Sequence, residues 1–150
     1  PSGTTEKWVD VDGHPLGAEF DLEVNLLIAD AHHGLLSVSP DKQMTTLTNS
    51  AGGIPIGFAN NITVAKSGTI FFTDASTKFM AKDYSAPLEA SLRSVVEHRP
   101  TGRILSYNPS TQQTAVVVSG LYFPNGLSLG NNDTELLFAE TPKYRVFFHF

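Results

Sequence analysis

The chain of 150 residues is 41% hydrophobic and 17% charged, a balance that suits a folded domain with a real core and excludes intrinsic disorder. Its ten Lys and Arg residues are scattered and outnumbered by fifteen Asp and Glu, giving a net charge of −5, so nothing offers an electrostatic footprint to a nucleic-acid backbone or an anionic membrane surface. The absence of cysteine excludes disulfides, thiolate metal sites and a cysteine nucleophile, and no run is apolar for long enough to span a bilayer.

Along the chain one pattern recurs: a Gly or Asn among apolar residues, an alternating stretch, a polar turn, then an apolar run that ends in an acid. The first copy is Leu16-Gly17-Ala18-Glu19-Phe20-Asp21 with Asn25 to Asp30. The second runs from Asn60 to Ala65, through a Lys66-Ser67-Gly68 turn, to Thr69-Ile70-Phe71-Phe72-Thr73-Asp74; the third joins Asn125-Gly126-Leu127-Ser128-Leu129 to Glu135-Leu136-Leu137-Phe138-Ala139-Glu140. Each reads as a β-hairpin. A second hairpin follows two of them: Leu36 to Asp41 parallels Leu105 to Ser110, and each leads into a Gln/Thr-rich strand, Met44 to Thr48 and Thr114 to Ser119. Four strands per unit predicts a propeller blade. The repeating acids lie 44 and then 66 residues apart, so the second interval holds an insertion. Within it Leu88, Leu92, Val95 and Val96 recur at helical spacing between Pro87 and Pro100, predicting an amphipathic helix around residues 87–99 on one face of the propeller.

The expectation is an all-β chain carrying about three blades of a six-bladed β-propeller. Three blades do not close a ring, so the chain is expected to belong with the remaining blades of a parent protein, or to meet a second copy. The last residues, Val146 to Phe150, read as a strand cut off inside its blade.

The segments Gly57-Phe58-Ala59-Asn60-Asn61-Ile62, Ile70 to Phe79, Leu88-Glu89-Ala90-Ser91-Leu92, Thr101-Gly102-Arg103-Ile104-Leu105, Phe123-Pro124-Asn125-Gly126 and Glu140-Thr141 with Tyr144-Arg145-Val146 resemble the strictosidine synthase-like family, in order and from about His14 onward. That resemblance implies a six-bladed propeller related to calcium-dependent lactonases and arylesterases, and a secreted, periplasmic or membrane-anchored setting. It also implies Ca²⁺ held on the central axis, with Asn60 and Asn125 at the matching positions and carboxylate ligands mostly in other blades. Asn carbonyls are hard oxygen donors suited to Ca²⁺; the plainer alternative is that both amides bond local backbone. The plant condensing enzyme of this family typically has Gly where Asn125 stands, which tilts the expectation toward metal-assisted hydrolysis of a small lactone or aryl ester. The alternatives are amine–aldehyde condensation and a non-catalytic ligand-binding propeller. The catalytic residue is unknown, and the base the family uses is expected beyond Phe150.

Asp30, Asp74 and Glu140 repeat with the fold and read as strand-end acceptors rather than catalytic groups. The pair His32-His33 could reach the axial pocket as a general base, although such a pair in a turn is more often solvated. Gly126-Leu127-Ser128-Leu129-Gly130 has the spacing of a nucleophile elbow but lacks the strand-to-helix turn that the elbow needs, so Ser128 is not a nucleophile.

Overall fold

A computed structural model describes residues 3–150; Pro1 and Ser2, at the start of the sequence, lie outside the described residues. The first antiparallel sheet contains β1 (Pro15–Phe20), β2 (Leu26–Asp30), β3 (Gly34–Val38) and β4 (Met44–Thr48), in that order. A two-strand connector, β5 (Ser50–Ala51) and β6 (Ile54–Pro55), leads to the second sheet. This comprises β7 (Ala59–Val64), β8 (Ile70–Asp74), β9 (Gly102–Asn108) and β10 (Gln113–Leu121), again in sequential order. The third sheet contains β11 (Pro124–Gly130), β12 (Glu135–Glu140) and β13 (Arg145–His149). These are three blades of a β-propeller, with β1, β7 and β11 innermost. The turn that separates β11 from β12 places Ser128 in mid-strand, paired with Leu137, so no elbow forms there.

The second strand of the first two blades is buried on both faces, which explains its continuous apolar run, whereas in β12 only Leu136, Phe138 and Glu140 are buried. Leu27 and Ala29 of β2 pack with Ile70 and Phe72 of β8 and with Leu105 and Tyr107 of β9. Ile28 faces the other way, under Val9 and Val11. Phe71 turns from the first interface to the second, where it meets Ile104, Leu136 and Phe138. Backbones approach closely where β1 meets β7: a Cβ on Gly17 would fall 2.7 Å from the Asn60 carbonyl oxygen.

The inserted helix α1 spans Pro87–Glu97, begins with proline in its first turn and ends at His98 in the left-handed conformation, with φ 55°. The apolar residues that mark its spacing are not its docking face. Leu88, Leu92, Val95 and Val96 are exposed, Val96 to 82%, and the buried face is Pro87, Ala90 and Ser94. Small residues win the inner face because the helix lies close against the layer formed by Phe58, Ala75, Ala81 and Phe123, into which Ala90 packs.

Candidate active site on the propeller axis

Strand register identifies the residues that are equivalent between blades. The strand-end acid pairs with Pro15 in the first blade (Asp30), Ala59 in the second (Asp74) and Pro124 in the third (Glu140). The residues just before these are His14, Phe58 and Phe123, and those just after are Leu16, Asn60 and Asn125. Side chains two apart on a strand share a face, and all six line one cavity of about 300 Å³, together with Pro87, Leu88 and Ser91 of α1. Phe58 and Phe123 meet edge to face, centroids 5.3 Å apart.

Asn60 and Asn125 therefore occupy the same register position on adjacent inner strands and share a cavity, with Leu16 where a third Asn would stand. They do not serve the local backbone. Thr73 joins the strands instead: its hydroxyl accepts the N–H of Asn61 at 2.9 Å and donates to the main-chain carbonyl of Asn125 at 3.2 Å. Among the described residues neither the Asn60 nor the Asn125 side-chain amide makes a hydrogen bond.

The recurring acids anchor the segments that enter these strands. Asp74 Oδ1 accepts the N–H groups of Gly57 and Phe58 at 3.1 and 2.9 Å, and Oδ2 accepts Nε of Arg103 at 2.8 Å. Burial pushes the Asp74 carboxyl above the ordinary carboxylate value, opposed by the Phe58 N–H and by Arg103. Arg103 also donates to the carbonyls of Ala51, Ile54 and Pro55, fixing the connector. Glu140 accepts the Tyr122 N–H at 2.7 Å and Nε of Arg145 at 2.7 Å. Asp30 departs from this pattern. Gly34 stands at its register position where Arg103 and Arg145 stand in the other blades, and Asp30 Oδ1 instead takes the N–H groups of His32 and His33 and Nδ1 of His33, at 2.9 to 3.0 Å.

That bond turns His33 away from the role considered for it. His32 and His33 line a second cavity, which shares no lining residue with the first. The histidine of the axial cavity is His14, whose ring lies 6.0 Å from that of His32 and whose carbonyl accepts the Ala31 N–H at 3.0 Å. Sequence reading passed over His14 because the other copies carry Phe there; a comparison of the repeats position by position would have marked it. Chemically, the axial cavity offers two unbonded amide oxygens, one imidazole and an apolar wall. It has no carboxylate in its lining, and among the described residues no cluster of three or more His, Asp or Glu is placed to hold a metal. No helix among them is long and apolar enough to cross a membrane.

Comparison with known proteins agrees with this architecture. The signature of the family described as Strictosidine synthase matches residues 60–149. The chain is 38% identical over 141 residues to strictosidine synthase-like protein 7 of Arabidopsis thaliana, covering 93% of the chain and 36% of that relative. It is 36% identical to the human adipocyte plasma membrane-associated protein, with 91% and 32% covered. The chain thus spans about a third of the length of these relatives. Its fold is similar to that of a gluconolactonase from Xanthomonas campestris, with a TM-score of 0.73 at 19% identity over 94% of the chain and 46% of the neighbour. It also resembles a calcium-binding regucalcin from Agrobacterium tumefaciens, with a TM-score of 0.56 at 16% identity, covering 87% and 37%.

Proposed function

The chain belongs to the strictosidine synthase family, and from that membership we propose that its propeller is a metal-assisted hydrolase of lactones or aryl esters working at the axial cavity. One observation carries the reading: Asn60 and Asn125 stand at equivalent positions on neighbouring inner strands, without hydrogen bonds, in one cavity with His14. The donor set fits Ca²⁺ as the neutral part of its shell, the carboxylates being left to other blades. Asn60 and Asn125 would hold the ion through their side-chain oxygens, and Ca²⁺, when bound, supplies polarisation of the substrate carbonyl. In this reading His14 acts as the general base that takes the proton of an attacking water. Leu16, Phe58, Phe123 and Leu88 hold the apolar part of the substrate and keep bulk water from it.

The test is Asn125→Ala in the full-length protein, assayed on a panel of lactones and aryl esters with circular dichroism as the control for folding. Because the amide bonds to nothing, the fold is expected to survive while turnover falls by about 10²-fold, the scale seen when one preorganised polar contact to the reacting centre is removed. Unchanged turnover sinks the proposal. The edge-to-face Phe58–Phe123 pair favours a second reading, condensation of an arylalkyl amine with an aldehyde, because it offers an aromatic wall to such a ring. Product formation after exhaustive chelation separates the two.

A further inference from the structure

The second cavity, about 340 Å³, lies where the turn joining β2 to β3 meets the connector and the 3-10 turn Ala81–Asp83. Its lining includes His32, His33, Lys82, Thr46, Asn49 and Ser50. In a chain of net charge −5 this lining holds no carboxylate, and every group in it that carries or can gain charge is basic. The imidazoles are there for an architectural reason. With Gly34 at the register position that gives Asp74 and Glu140 an arginine, the acid of the first blade takes its partner from the turn. Arg103 uses its donors on Asp74 and three carbonyls, whereas His33 gives only Nδ1 to Asp30, leaving Nε2 as its remaining polar atom. Among the described residues His32 Nε2 and Asp30 Oδ2 are buried without a partner, and Lys82 enters no salt bridge. Thr46, Ser50 and Asn49 add hydroxyl and amide groups to the lining.

We propose that this cavity binds a small oxyanion, a phosphate or a carboxylate, between the two histidines and Lys82. Asp30, behind His33, orients the ring in the way that outer carboxylates orient ligating imidazoles. The site is separate from the axial cavity and does not depend on the activity proposed there.

The experiment titrates the full-length protein with inorganic phosphate, and in a parallel arm with acetate, against chloride at constant ionic strength, following the ring C–H resonances of His32 and His33. Saturable shifts of both rings, with affinity reduced about tenfold in Lys82→Gln and in His33→Gln, are expected; the arm that binds more tightly identifies the anion. Lys82 is exposed, so its replacement tests binding without disturbing the fold. Rings that do not shift in either arm, or shifts that are the same in Lys82→Gln, overturn the proposal.

Discussion

At the residue scale, the buried acids show how one position serves structure in two ways. Asp74 and Glu140 each face an arginine and the N–H groups that enter an axis-lining strand, whereas Asp30 faces a histidine. Truncating Arg103 leaves a buried carboxylate uncompensated and frees three carbonyls, so Arg103→Met is expected to cost roughly 3–5 kcal/mol in urea unfolding; a loss below about 1 kcal/mol would deny the anchor its role. The pH dependence has a definite sign. Burial raises the Asp74 carboxyl above its ordinary 3.8, so the folded chain holds that proton more tightly than the unfolded chain does. The resulting stabilisation is full below the ordinary value and fades as pH rises through the folded one. Asp74→Asn, which mimics the protonated group, is therefore expected to gain on the wild type as pH is raised through that window. Denaturation midpoints across pH check this, and a variant that loses ground with rising pH would reverse the assignment.

At the element scale, α1 shows why hydrophobic spacing alone misplaces a helix face. Leu88, Leu92, Val95 and Val96 repeat at helical spacing, yet the helix docks through Pro87, Ala90 and Ser94, because only short side chains allow its close approach to Phe58 and Phe123. Two substitutions read this directly. Ala90→Leu is expected to destabilise by about 1–3 kcal/mol through overpacking, whereas Val96→Gln is expected to change stability by less than about 0.5 kcal/mol, as surface changes do. Equal effects would mean that the helix packs through its larger residues. The same docking puts Leu88 and Ser91 on the wall of the axial cavity, so the insertion, rather than the repeat, shapes that wall.

At the scale of the whole molecule, each blade hides one apolar face against the next, and the third blade leaves a face open. Val146 and Phe148 are 64% and 58% exposed beside a groove lined by Leu127, Leu137, Phe138 and Ala139. Large apolar patches promote association, so residues 1–150 expressed alone are expected to self-associate, and Val146→Lys with Phe148→Lys to restore a monomer in sedimentation; a monomeric wild-type segment would contradict this. Much of the architecture was legible in sequence. The three acids, the hairpins and the insertion mark positions by short-range patterning, since alternation, turn residues and prolines act through neighbours along the chain, and so the blades and the helix could be placed. Asn60 and Asn125 were named by the family resemblance and not by patterning along the chain. Tertiary structure alone decided which face of α1 is buried, that Asp30 draws His33 into a second cavity, and that His14 lines the axial cavity with the two asparagines. Those outcomes depend on strand register and on blade-to-blade contact between residues far apart in sequence, and a single chain read along its length carries no direct record of either.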